Sequence, residues 1–187
     1  MTDQLILKFP SKKAYLKDDF YVSSSNQEAY DFVNSWPKWI KRIINIFGPS
    51  GSGKTHIITI LKSKTTVLEI DASKLNDKIF FQFKTKEVLI LDNLTEKIDE
   101  NLLYSIWNAA IQDNKYLLIT SNKPVSEFNY KLPDLKSRMR DIISLGIKLP
   151  SDDLIGVILA KNFSDKQMVV EKKHIDYIIK RIDRSYE

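Results

Sequence analysis

Eight consecutive residues, Gly48-Pro49-Ser50-Gly51-Ser52-Gly53-Lys54-Thr55, spell the pattern G-x-x-x-x-G-K-T. Glycines in such a turn let the backbone curl until several N–H groups point inward, and a nest of this kind holds phosphate oxygens. Lys54 is spaced to reach the β- and γ-phosphates, and the Thr55 hydroxyl to ligate Mg2+. Three of the chain's five glycines fall within these eight residues, so glycine is concentrated where a bent loop needs it. The second requirement is an acidic group to hold Mg2+ through water, and Val88-Leu89-Ile90-Leu91-Asp92 supplies one at the end of an apolar run. The implied ligands are ADP or ATP with Mg2+. The residue after Asp92 is Asn93. An amide orients a water but cannot take its proton, so weak or absent intrinsic hydrolysis is expected. Asn122, behind the run Tyr116–Thr120, is either a turn residue before Pro124 or a polar group within reach of the γ-phosphate and its water.

These groups need a scaffold that brings distant segments to one edge. Ile43–Phe47, Val67–Ile70, Val88–Leu91 and Tyr116–Thr120 are short, branched or aromatic, and nearly free of charge. Such runs suit strands covered on both faces of a parallel sheet. Asp141–Leu149 offers a fifth strand. Between them, Glu100–Gln112 puts Leu103, Ile106, Trp107 and Ala110 at helical spacing, and His56–Leu61 forms a helix directly behind the glycine loop. Strands alternating with helices predict an α/β fold with right-handed crossovers. Upstream, Ser25 and Glu28 have the spacing of a capping box and predict a helix opened near Ser25 and ended before Pro37. Downstream of Pro150 the pattern turns helical, from Ser151 and again over Lys173–Ile182. The expected organisation is an arm over 1–18, a core over 19–150 and a partial helical lid over 151–187.

Composition sets outer bounds. With 187 residues the chain makes one domain with at most a small appendage, and it is long enough to bury a core unaided. It has no cysteine, which excludes disulfides, thiolate metal sites and cysteine nucleophiles. Only His56 and His174 are present, too few for a histidine-built zinc site. No apolar run approaches the ~18–20 residues that span a bilayer, and the first residues lack the pattern of a secretory signal, so a cytoplasmic protein is expected. The 29 Lys and Arg against 24 Asp and Glu tolerate an anionic partner without demanding one.

Taken in order, the glycine loop, Leu91-Asp92-Asn93, Thr120-Ser121-Asn122 and Leu132-Pro133-Asp134-Leu135-Lys136-Ser137-Arg138 resemble the DnaA-homologous AAA+ family of replication proteins. The likeness is nearer to its Hda type, which lacks the initiator's DNA-binding domain. It runs from about Asp18 to the C-terminus. It implies a P-loop AAA+ parallel-sheet core followed by a small α-helical lid, which is abbreviated or truncated here. It also implies an adenine-side segment at Phe20, Val22 and Asn26, sensor 1 at Asn122, and an arginine finger at Arg138 offered in trans to ATP on a neighbouring AAA+ subunit. By the same likeness the second sensor falls near Glu187, which is acidic, and Arg184 is its substitute.

Gln4-Leu5-Ile6-Leu7-Lys8-Phe9 resembles the family's clamp-binding peptide, with the Gln4 amide for hydrogen bonds and Leu5, Leu7 and Phe9 as apolar anchors. The partners implied are a DnaA-type initiator, the DNA polymerase sliding clamp, DNA through that clamp, and further copies in a homo-oligomer. Two rivals remain. One is an adaptor that uses nucleotide as a structural ligand and recruits initiator-like proteins to DNA or membrane. The other is a small P-loop kinase, for which no acceptor site is recognisable.

Overall fold

Five apolar runs pair side by side, all parallel, in the order β2-β3-β4-β1-β5. The strands are β1 (Ile43–Phe47), β2 (Val67–Asp71), β3 (Val88–Leu94), β4 (Tyr116–Ser121) and β5 (Ile143–Gly146). In this computed structural model residues 20–182 are described. The helices are α1 (Gln27–Asn34), α2 (Lys54–Lys62), α3 (Lys78–Phe83), α4 (Glu100–Gln112), α5 (Pro133–Arg140), α6 (Asp152–Asp165) and α7 (Lys172–Ile179).

The period-two alternation of each strand divides its side chains between two helical layers. Leu89 and Leu91 of β3 join Ile79, Phe83, Leu103, Ile106, Leu135 and Met139, which belong to α3, α4 and α5. Val88 and Ile90 face the other way, toward Ala29 and Val33 of α1 and Ile57, Ile58 and Leu61 of α2. The α/β parallel-sheet expectation is therefore met, with both faces covered. β1 leads away to β2 at one edge while its neighbour β4 leads past it to β5 at the other, so their connections part at the β1–β4 boundary, the place where open α/β sheets bind ligands beyond their strand ends.

Three local readings change. β3 runs on past Leu91 through Asp92 and Asn93 to Leu94, with a register shift between Leu91 and Leu94. The fifth strand contracts to four residues. The Ser25–Glu28 capping box does not form: α1 opens after Asn26, whose side chain makes no capping hydrogen bond. Asn26 is used instead as a brace in the preceding turn, accepting from Ser23 N at 2.9 Å and donating to Tyr21 O at 3.0 Å, while the Ser25 hydroxyl pairs with that of Ser23 at 2.7 Å. Two other helices are capped. Asp99 accepts from the N–H groups of Asn101 and Leu102 at the start of α4, and Ser151 from Leu154 N at the start of α6. α6 buries Leu154 and Ile155, whereas α7 buries nothing. Among the described residues, no helix is long and apolar enough to cross a membrane.

Candidate nucleotide-binding site

β1 delivers the chain into the glycine loop and α2 carries it away. The loop's base is pinned to the sheet by Gly48 N donating to Ser121 O at 3.1 Å. Gly48 admits no side chain: a Cβ there would stand 2.8 Å from Ile147 O and 2.9 Å from Ser52 Oγ. Gly51 and Gly53 take φ of 72° and 93°, the left-handed region where glycine is nearly strain-free. Gly53 also precedes the first turn of α2, so the helix's unpaired N–H groups face the bend. Pro49 and Ser50 form its outer arc, and Thr55 is exposed in the first turn of α2.

Two buried polar groups in this loop are short of partners suited to them. The Ser52 hydroxyl has no hydrogen-bond partner. Lys54 is 8% exposed, and its ammonium folds back to donate to Gly48 O and Pro49 O, both at 2.8 Å. Burial holds the Lys54 pKa below the usual lysine value, and the Asp92 carboxylate opposes that only in part. A desolvated cation beside inward-facing N–H groups and an orphaned hydroxyl fits the phosphate tail of a nucleotide.

Beside the loop, Phe20 stacks on Tyr30 at 5.6 Å and tilts against His56 at 5.0 Å. Phe20 and Asn26, with Gly51–Gly53, face Leu154 and Val157 of α6 across a small pocket of about 130 Å³. Phe20 and Asn26 line this pocket together with the loop, whereas Val22 is half-buried and does not.

Asp92 and Asn93 stand at the strand edge. The Thr120 hydroxyl donates to Asp92 Oδ1 and accepts from Asn93 N at 2.9 Å, fastening the β3 end to β4. Asn93 has φ of 59°, a conformation asparagine tolerates better than most residues. Its amide reaches Asp92 Oδ2 at 3.2 Å and Asp71 Oδ2 at 3.4 Å. Asp71 ends β2, and hydrogen bonds from the Ser73 hydroxyl, then Ser73 N, then Asn93 hold its carboxyl below the usual range. Asn122 is exposed one residue past β4, and the contact with Asp92 comes from Thr120.

Sequence reasoning missed Asn45. This fully buried amide on β1 donates to Ile119 O at 3.1 Å and Ser121 Oγ at 2.9 Å, and accepts from Val125 N at 3.1 Å. It ties β1 to the turn that carries Asn122. An amide inside the apolar run Ile-Ile-Asn-Ile-Phe was the available signal, since a buried amide must find partners.

Arg138 lies on α5, in the layer of α3 and α4, whereas α2 covers the opposite face. Its guanidinium is held: Nη1 donates to Asn108 Oδ1, Nη2 to Tyr104 OH at 3.2 Å, and the group sits 4.4 Å from the Tyr104 ring centre. Tyr104 and Asn108 are four apart on α4 and so share a face. Arg140 is exposed. Gln4, Leu5, Leu7, Phe9 and Arg184 lie outside the described residues.

No family model matches the chain. In sequence it is 26% identical, over 91% of its length, to the chromosomal replication initiator protein DnaA of Borrelia duttonii strain Ly, and 25% identical to that of Borreliella burgdorferi strain ZS7. The chain spans about two fifths of those relatives, 41% and 40%. Among solved structures, AMPPCP-bound DnaA from Aquifex aeolicus aligns with a TM-score of 0.75 at 20% identity, covering 91% of this chain and 61% of that one. Domain III of the Thermotoga maritima replication initiation protein DnaA aligns with a TM-score of 0.75 at 16% identity, covering 92% and 82%. The glycine loop, the sheet order and these likenesses agree on one fold, that of the DnaA domains to which the chain is similar.

Proposed function

We propose that this chain is a cytoplasmic, Hda-like negative regulator of chromosomal replication initiation. In this reading it holds ADP or ATP at Gly48–Thr55 and offers Arg138 to ATP held by a DnaA-type initiator. The observation that carries the reading is Asn93. Where a self-sufficient ATPase commonly keeps a carboxylate, this chain has an amide already engaged with Asp92 and Asp71. It orients but does not deprotonate, so the chain keeps its nucleotide rather than turning it over.

Each residue then has a task. The loop N–H groups and Lys54 hold the phosphates, Thr55 and Asp92 hold Mg2+, directly and through water, and Phe20 and Asn26 border the base. Mg2+ neutralises phosphate charge when bound. Asn122 stands near the terminal phosphate, and Arg184 substitutes for the second sensor. Arg138, on the layer away from α2, serves a neighbour's nucleotide; a finger of this kind stabilises the phosphoryl in flight by about 10³–10⁵ in rate. Gln4–Phe9 docks on the sliding clamp and so brings the chain to DNA, and self-association through the same AAA+ faces gives a homo-oligomer. The organisation proposed is an arm over 1–18, a core over 19–150 and a lid over 151–187.

The test is ATP turnover by a purified initiator, with and without this chain and DNA-loaded clamp. Stimulation that disappears with Arg138→Ala supports the reading; stimulation that survives the substitution rejects the finger. A second reading is favoured by the bonds from Asn108 and Tyr104, which give Arg138 a structural use. By it, the chain is a nucleotide-bound adaptor that recruits initiator-like proteins to DNA or membrane without catalysis. It predicts a change of initiator location with unchanged turnover.

A further inference from the structure

Helix α6 carries Leu154, Val157, Ile158 and Lys161 at the spacing i, i+3, i+4 and i+7, so the four share one face. That face lines the small pocket across from Phe20 and the glycine loop. Ser151 caps the helix and Leu154 and Ile155 are buried, which fixes the start of α6, while Val157 and Ile158 remain 38% and 37% exposed. Phe20 closes the opposite side. Its ring lies so near the loop that a Cβ at Gly53 would stand 3.2 Å from it. The slot between holds about 130 Å³, well below the roughly 300 Å³ at which pockets for whole ligands begin. It has room for a flat ring beside the glycine loop and little else.

A site tells one base from another by fixed donors and acceptors. Asparagine suits adenine because its amide carries one of each. Here Asn26 is 4% exposed and its amide is used within its own turn, where Oδ1 accepts from Ser23 N and Nδ2 donates to Tyr21 O. The same bond occupies the Tyr21 carbonyl. Ser23 O is occupied too, by the N–H groups of Asn26 and Gln27. Tyr30 and His56 pack on the Phe20 ring, and among the described residues neither they nor Val22 belong to the pocket wall. The polar side chains that remain in the wall are the hydroxyls of Tyr21 and Ser52 and the ammonium of Lys161. A hydroxyl turns to donate or accept, and an ammonium finds an acceptor on any base. None of the three singles out adenine.

We propose, on the nucleotide-binding reading above, that this site selects nucleoside di- and triphosphates by their phosphates and takes the base by shape and apolar contact, so that guanine and cytosine nucleotides bind along with adenine ones. Gly48–Thr55 supplies the affinity. Phe20 and the α6 stripe cover whichever ring enters, and a larger ring gains more contact. An apolar pocket separates related ligands by roughly 10–200-fold, whereas a site built on hydrogen bonds reaches about 10⁴–10⁵.

The experiment is displacement of a fluorescent ADP analogue from the full chain by ADP, GDP and CDP, each with Mg2+. GDP should compete within about tenfold of ADP, and CDP, with its smaller ring, within about a hundredfold. Ile158→Ala should weaken all three by a similar few-fold factor, since it removes apolar contact from every base alike. Asn26→Ser should weaken ADP and GDP by the same factor, as damage to a turn does. A larger penalty on GDP or CDP overturns the proposal, as does a loss confined to ADP in either variant. If ADP itself fails to bind well-folded chain, the nucleotide-binding reading falls and takes this one with it. If ADP binds and GDP does not, only the tolerance of bases falls.

Discussion

In the function proposed, the glycine loop and the Arg138 rim handle the same chemical object, a phosphate, by opposite means. The loop is made of backbone: two left-handed glycines, a third with no room for a Cβ, and a helix start. Its charge is the buried Lys54, desolvated and bonded for now to two carbonyls. The rim is made of side chains, a guanidinium set by an amide and a phenol from one face of α4. A backbone site exists as soon as the chain folds. A side-chain site carries its specificity in a few replaceable contacts, and Arg138 lies in the layer opposite α2 and its glycine loop. The difference teaches that, in the function proposed, holding nucleotide and acting on nucleotide fall on separate parts of the fold.

The largest effect that sharpens the contrast is expected at the rim. Arg138→Ala should lower the stimulated hydrolysis of initiator-bound ATP by about 10³-fold, measured in single turnovers, while leaving ADP affinity of this chain unchanged. An equal loss in both measurements would break the separation.

Asn93→Glu probes the loop side. A carboxylate next to Asp92 should raise intrinsic ATP cleavage by about 10²-fold, at a folding cost of about 1 kcal/mol for a longer side chain at φ 59°. Product formation by the isolated chain and a denaturant melt measure the two parts.

The pH response of Lys54 comes next. Its folded-state pKa lies below the usual value because of burial, and phosphate favours the ammonium. Nucleotide affinity should fall as alkaline pH passes the lowered pKa, and a Lys54→Gln variant should show no such limb. Stability without nucleotide runs the other way. Between the lowered pKa and 10.5 the unfolded chain binds more protons, so stability rises with pH across that window.

The smallest effect belongs to Asp71. Hydrogen bonds depress its folded pKa, so its stabilising share is complete above 3.8 and is lost as pH falls through the lowered value. Ser73→Ala should move that acid limb slightly upward in an acid titration and change nothing at neutral pH.

The strands, the glycine loop and Asp92 were legible because each is a local pattern: branched apolar runs, glycines at fixed offsets, an acid ending a strand. Helix α4 was legible from its periodicity and its Asp99 cap lies where the chain enters it. What was not legible depends on partners distant in sequence. Asn45 meets the turn after β4 across about eighty positions, and Thr120 meets Asp92 because parallel pairing sets Ile119 opposite Leu91 and so the next residue opposite Asp92. Ser25 and Glu28 had the right spacing for a capping box, yet Asn26 and Ser23 took the turn's hydrogen bonds first. The hold of Asn108 and Tyr104 on Arg138 links α4 to α5 and leaves no trace in either segment alone.

Isothermal titration of the folded chain with Mg-ADP, beside Lys54→Ala, reaches the central claim most directly. Saturable binding at one site, weakened about a hundredfold or more by the substitution, is the result expected when one buried charge-assisted contact is lost. Equal heats for the two proteins, or no heat from well-folded wild-type chain, would contradict a nucleotide held at Gly48–Thr55.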